Sequence, residues 1–443
     1  MDNSKIGSKL ANKFQELAIY CLMASVLYAC SDGGGGDVYG VSGCSTVEQN
    51  EIVHRALQDR YYWYEQIPDQ VNYAGFESPS QMLASLRYDG FDRFSYITSQ
   101  SSFSNLFNDG TYVGYGFGFD IDAGGKAFVR LVYNQSPAAT VGMARGDELL
   151  SVNNESVSAI IAADRFGVIF GAAEIGLPVT IKLAKKSGGT VTLSILKSTV
   201  KINTVLHSEV IASGSTKIGY LVFNSFLNTS VAEFTPVFGQ FKAAGVSRLI
   251  LDLRYNGGGS INVARELASY IKQTSDNSSD LYVKLVYNDK HQQDNFNYFF
   301  QSRSASLGLD QLTVITSAAT CSASEQIISA LHPYFGAGQV TTVGSATCGK
   351  PVGMNPLDFC GQTMLAVNFA SFNRDNQGNY FSGIPASCSA GDDTQFDFGD
   401  LNEPMLAAAK YHVDNLSCPA AKHSRRDGVS DSLRGIQAVI GAV

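Results

Sequence analysis

A chain of 443 residues with 44% apolar and 16% charged side chains is long enough to form two or three domains with full cores. Its formal net charge of -8 excludes a general nucleic-acid surface, which needs clustered Lys and Arg, and makes an anionic membrane a poor partner. The short basic cluster from Lys422 to Arg426 reads as a solvated patch.

In chain order, Lys5, Lys9 and Lys13 precede LAIYCLMASVLYA, an apolar run from Leu17 to Ala29 that is too short to cross a bilayer as a mature helix. It reads as an export signal. The run ends in LYAC, which resembles the bacterial lipoprotein processing site; that resemblance implies a signal peptide over 1–29, a lipidated Cys30 and a flexible linker over 30–43 containing SDGGGGD. Tyr28 is bulkier than the motif prefers, so ordinary cleavage without a lipid is the alternative. The expected location is the periplasmic side of a bacterial envelope, as an outer-membrane lipoprotein that touches the membrane only through its lipid. An exported chain meets an oxidising compartment. Six cysteines then remain, Cys44, Cys321, Cys348, Cys360, Cys388 and Cys418, and they allow 15 pairings among which the sequence does not choose. Neither CxxC nor HExxH occurs, and no metal or other cofactor is expected.

Residues 44–103 read as a small helical region, with Val53, Ala56 and Leu57, the aromatic run YYWYEQIP from Tyr61, and a second helix around Met82 to Leu86. From GTYVGYGFGFDID the pattern becomes strand and turn, giving a β-module over 104–202. Over 203–418 strands and helices alternate. Strands are expected at Lys217 to Phe226, Arg248 to Tyr255, Gln311 to Thr316 and Val340 to Ser345, and helices at Val231 to Ala244 and Ile261 to Ile271. This predicts an α/β domain, a mixed sheet with flanking helices. A tail follows over 419–443.

The segment TCSASEQIISAL, from Thr320, admits two readings. Ser322 with Glu325 ahead of an apolar run has the form of a helix capping box. The same serine between a strand and a helix would also lie beside free N–H groups at a positive helix end, a place for a nucleophile. Three pieces stand at equivalent strand ends: NGGGS after Tyr255, CSASE after Ala319 and the turn bearing Lys350. Open α/β sheets build their sites from such ends. A serine hydroxyl needs a base. Lysine can serve only when neutral, yet at its ordinary pKa about one amine in a few thousand is neutral at pH 7, so burial must lower that pKa. The N–H groups of Gly257 or Gly258, with that of Ala323, are candidates for the oxyanion site. The patterns GxxxxGK[ST] and GxGxxG are absent, which argues against a nucleotide loop.

Taken in order, ILDLRYNGGGS, TCSASEQIISAL and CGKPVG resemble the serine peptidases of the carboxyl-terminal processing, or tail-specific, family. GYGFGF with SPAATVGMARGDELLSVN resembles that family's PDZ domain, and GNYFSGIPAS resembles a segment near the end of its catalytic domain. The resemblance implies a catalytic core of crotonase/Clp type, Ser322 as nucleophile, Lys350 as base and Ser324 as a structural neighbour. It implies protein or peptide substrates with free C-termini, whose carboxylate Gly116, Phe117 and Gly118 would hold while the peptide adds as a strand. Many members carry a glutamine four residues after the lysine; this chain has Met354. One rival is a Ser-His-Asp hydrolase drawing on the six histidines, although no GxSxG elbow is present. Another is a non-catalytic, peptide-binding envelope lipoprotein with a protease-like fold.

Overall fold

Strands that read as unbroken apolar runs belong in a parallel sheet covered on both faces, and that is where they lie. The computed structural model describes residues 38–420, apart from 277 and 337. The signal segment, Cys30, the basic cluster and most of the tail lie outside the described residues. Among those described, no helix is long and apolar enough to cross a membrane.

In the N-terminal region α1 (Thr46–Arg60) and α2 (Pro79–Leu86) lead to β1 (Tyr96–Ser99). A β-module follows: β2 (Phe117–Ile121), β3 (Ala127–Val132), β4 (Glu148–Val152), α3 (Val157–Ala162), β5 (Pro178–Ala184) and β6 (Thr190–Leu196). Its sheet runs β2-β3-β4-β5-β6, so β2 is an edge. The remainder comprises β7 (Val205–Ser213), β8 (Thr216–Phe223), α4 (Ser230–Ala244), β9 (Arg248–Asp252), α5 (Ile261–Ile271), β10 (Leu281–Tyr287), β11 (Phe296–Phe299), β12 (Leu312–Thr316), α6 (Ala323–Leu331), β13 (Val340–Gly344), β14 (Val352–Gly353), β15 (Leu357–Phe359), β16 (Gln362–Leu365), β17 (Phe369–Phe372), β18 (Cys388–Ser389) and α7 (Pro404–Asn415).

The main sheet has the order β7-β8-β9-β12-β13-β18, with only β7 antiparallel to its neighbour. One face packs Phe234, Phe238, Leu267, Ile327 and Leu331 from α4, α5 and α6; the other packs Met405, Leu406 and Ala409 from α7. Register places the carboxyl ends of β9, β12 and β13 side by side, with Asp252 opposite Ile315 and Thr316 opposite Gly344. Three loops therefore leave one sheet edge together.

The strand expected to reach Tyr255 stops at Asp252. The Asp252 carboxylate turns the chain by accepting the Arg254 N–H at 3.2 Å, and Asn256 N–H closes onto the Leu253 carbonyl at 2.9 Å. The N-terminal region packs into a core shared with later residues: Ile52, Leu57, Tyr61, Met82 and Phe94 pack with Val352, Met364 and Val367. β1 also pairs with β16, and Cys44 is bonded to Cys360. This region thus forms one wall of whatever stands near residue 350.

The β-module is tied to the sheet by buried charge. Arg145 reaches Asp392 at 3.0 Å and the Tyr255 hydroxyl at 2.8 Å, while the fully buried Arg254 pairs with Asp252 at 2.7 Å, Asp392 at 2.7 Å and Glu403 at 2.9 Å. Removing one member would leave the others as unpaired charges away from water, so the network fixes the loop that begins at Tyr255.

Candidate active site

Ser322 sits at the N-cap of α6 with φ 56° and ψ -115°, a conformation that costs a non-glycine residue about 1–3 kcal/mol. Such strain persists only where the surroundings impose it. The glycine loop supplies part of that constraint. The Asn256 carbonyl accepts the Cys321 N–H at 3.0 Å and the Ser324 hydroxyl at 2.9 Å, while the Asn256 amide donates to the Phe223 carbonyl at 3.0 Å. Ser324 is fully buried, which fits a structural role. A Cβ on Gly258 would come within 2.8 Å of the Ser322 Cβ and 2.9 Å of the Cys321 carbonyl oxygen, and its φ is +103°. Only glycine allows this approach.

The two readings of Ser322 prove compatible. Glu325 accepts the Ser322 N–H at 2.8 Å as a capping box requires, while the hydroxyl leans over the Glu325 N–H without forming a proper cap hydrogen bond. The Glu325 carboxylate, wholly buried, also accepts the N–H groups of Gly349 at 2.7 Å and Lys350 at 2.9 Å and the Thr347 hydroxyl at 2.5 Å. One carboxylate thereby clamps the serine turn to the lysine turn. Burial pushes its pKa up, and the four donors oppose that shift. The sequence pattern SxxE signals the cap; nothing in it signals the second turn.

Ser322 and Lys350 both open on a single cavity of about 1140 Å³, together with Gly257, Ala323, Arg93, Phe94 and Met354. Among the described residues no histidine lines it, so a Ser-His-Asp arrangement lacks its base here. Burial lowers the Lys350 pKa to about 8; Asp92 and then Glu325 act in the opposite direction by favouring the ammonium. The amine lies 5.1 Å from the centroid of the Phe94 ring and 4.0 Å from the Met354 sulfur. Met354 thus stands beside the amine, with an aromatic face contributed by the N-terminal region. Gly349 has φ +84°, and a Cβ there would meet the Phe381 carbonyl oxygen at 2.2 Å, so the GNYFSGIPAS segment presses directly on the lysine turn.

The structure corrects one expected donor. The Gly258 N–H is already committed to the Asn256 side-chain oxygen at 2.9 Å, so that glycine provides close approach rather than a free N–H. Gly257 and Ala323 line the cavity. The residues expected to capture a carboxylate are elsewhere, in the β-module: Phe117 and Gly118 open the edge strand β2 against Val132 and Leu131, and the Gly116 backbone bonds the Tyr112 hydroxyl. They do not line the cavity that holds Ser322.

Residues 217–386 match the model of Peptidase family S41, and residues 48–96 match that of the Peptidase S41 N-terminal domain. The carboxy-terminal processing protease CtpA of Bacillus subtilis (strain 168) is 26% identical over 215 residues, covering 48% of this chain and 42% of the relative. The carboxyl-terminal-processing protease of Picosynechococcus sp. (strain ATCC 27264 / PCC 7002 / PR-6) is 25% identical over 241 residues, covering 54% of each. The chain therefore spans about half the length of the curated relatives it matches. In fold it is similar to the structure of a candidate S41 protease from Bacteroides fragilis NCTC 9343, with a TM-score of 0.66 at 23% identity, over 82% of this chain and 97% of that one. The chain thus matches Peptidase family S41 in its N-terminal region and over most of its main sheet, and over about half its length it is similar to carboxyl-terminal processing proteases.

Proposed function

We propose that the protein is a serine endopeptidase working through a Ser322/Lys350 dyad. The observation that carries this reading is a lysine amine with a pKa near 8 on the same cavity wall as a serine in a strained N-cap. Ser322 Oγ attacks the scissile carbonyl carbon and its proton passes to the neutral Lys350 amine. Negative charge gathers on the carbonyl oxygen, for which the N–H groups of Gly257 and Ala323 are the donors, aided by the positive end of α6. Lys350 then returns the proton to the departing amine, and water repeats the sequence on the acyl-enzyme. A fluorophosphonate probe, which phosphonylates activated serines, is expected to label Ser322 alone by peptide mapping, with labelling rising from pH 6 to 8. Labelling at another serine, or none in active protein, removes the assignment.

The module over 104–202 is proposed to be a PDZ domain that takes a substrate's C-terminus along the edge of β2, with Phe117 and Gly118 at the carboxylate and Gly116, whose N–H holds the Tyr112 hydroxyl, as the turn before them. The free edge position of β2 supports this. Amidating the C-terminus of a test peptide is expected to raise KM several-fold; an unchanged KM rejects carboxylate capture. A lipidated Cys30 at the mature N-terminus, in a periplasm-facing outer-membrane lipoprotein, completes the proposal. The mass of that N-terminal peptide from envelope fractions decides it.

A further inference from the structure

Three disulfides are present among the described residues, and one of them stands apart by position. Cys44–Cys360 staples the N-terminal region, and Cys388–Cys418 ties β18 to the chain after α7. Cys321–Cys348 joins the residue immediately before Ser322 to the residue two before Lys350. Both cysteines line the same cavity as the two reacting groups, so a small dithiol that enters by the substrate's route can reach the bond.

The surrounding contacts show what this bond spans. On one side, Cys321 N–H is held by the Asn256 carbonyl at 3.0 Å, which fixes the serine turn on the glycine loop. On the other, Cys348 N–H reaches the Thr320 carbonyl at 3.0 Å, and the Cys348 carbonyl accepts from Arg93 of the N-terminal region. The staple therefore crosses the seam at which the nucleophile turn, the base turn and the N-terminal wall meet. Its sulfurs hold each other and Glu325 is committed to four donors, so the group formed by these three side chains acts as a brace and not as a ligand set.

We propose that Cys321 and Cys348 are positioning residues, whose disulfide holds the nucleophile and base turns in register so that its two-electron reduction suppresses proteolysis while the fold survives. The inference rests on the dyad reading above. In the step, a dithiol supplies two electrons and two protons; the S–S bond breaks into two thiols, and the reductant closes to its own disulfide. The Glu325 clamp remains after reduction, so the effect is graded rather than complete. A displacement of about 1 Å between reacting groups costs up to about a hundredfold in rate. Loosening the base turn from Phe94 also lets water reach the amine, so neutral Lys350 becomes rarer at a given pH. The charged groups acting on that amine are Asp92 of the N-terminal region and Glu325 of α6, and Arg93 lines the same cavity.

The test compares full-length wild type, the double variant Cys321→Ser/Cys348→Ser, and the control Cys388→Ser/Cys418→Ser on an unfolded protein substrate. The first variant is expected to lose about ten- to a hundredfold in kcat with little change in KM, and the acid limb of its profile to move to higher pH. Its remaining activity should no longer respond to dithiothreitol. In wild type, activity should fall in step with the fraction of Cys321–Cys348 reduced, read by alkylation and peptide mapping, and return with oxidised glutathione. A folded double variant with unchanged kcat and pH profile overturns the proposal, as does wild type that stays fully active with this bond mapped as open. If the double variant does not fold, the wild-type titration decides on its own. Ser322→Ala separates the two readings: if it cleaves substrate, the dyad has failed; if it is inert while reduced wild type is fully active, only the staple has failed.

Discussion

Replacing Lys350 by Met is expected to reduce peptide hydrolysis by at least about a thousandfold and, at the same time, to make the protein harder to unfold. Both effects have one cause. The wild-type pKa is lowered from 10.5 to about 8 by burial, a penalty on the charged form worth about 3 kcal/mol at most. Methionine fills a similar volume beside Phe94 and Met354 without a charge to desolvate. The sign follows from proton counting: between pH 8 and 10.5 the unfolded chain binds the proton that the native state has released, so wild-type stability rises with pH there. The penalty is complete below pH 8 and gone above 10.5. Urea unfolding should therefore show Lys350→Met about 1–3 kcal/mol more stable than wild type at pH 7, with the gap closing towards pH 10.5. The same free-enzyme pKa sets the wild-type profile of kcat/KM. At pH 7 about one amine in ten is neutral, so kcat/KM should climb nearly tenfold per pH unit below 7 and level off above 8. Ser322→Ala should be as inactive as Lys350→Met, and the double variant no worse than either, because the pair acts as a unit. Additive losses in the double variant would show that the two groups do not share a proton.

How much of this is legible in the chain depends on how local each signal is. The apolar runs RLILD, LTVIT and VTTVG reveal buried parallel strands because both faces of each are covered. Their shared orientation brings Ser322, Lys350 and the glycine loop to one edge without any further information. The short strands β14 to β17 escape because a two- to four-residue strand has no period to detect. Gly258 reads correctly as a close approach and wrongly as a free donor, since the partner of its N–H is a side-chain oxygen two residues away. Asn256, Phe94 and Asp92 give no signal at all. An asparagine before glycines looks like any turn residue, and nothing local connects an aromatic in the N-terminal region to a lysine in the last third of the chain. The disulfide pairing is equally silent, being a consequence of register between β12 and β13.

Glu325 shows how one residue can satisfy a local rule and a distant one together, and its replacement is the sharper test of the assembled site. Changing it to Gln keeps the shape but puts an NH2 where one carboxylate oxygen stood. One pair of donors, either Thr347 Oγ1 with Gly349 N–H or Ser322 N–H with Lys350 N–H, then faces another donor. The Thr347 hydroxyl can turn to accept, so one or two buried donors are left unpaired, at a cost of about 1–6 kcal/mol that a urea midpoint will register. The activity should fall by about a hundredfold because the two turns lose their common anchor. The pH profile distinguishes this from simple loosening. The Glu325 charge favours the Lys350 ammonium, so its removal makes the amine easier to deprotonate and should carry the acid limb to lower pH. Opening the neighbouring disulfide should carry the same limb upward, by admitting water. Opposite displacements from two changes flanking the same turn would mean that the carboxylate acts on the amine through its charge and the staple through exclusion of solvent. Displacements in one direction would mean that both variants only loosen the loop, and the electrostatic role of Glu325 would fall.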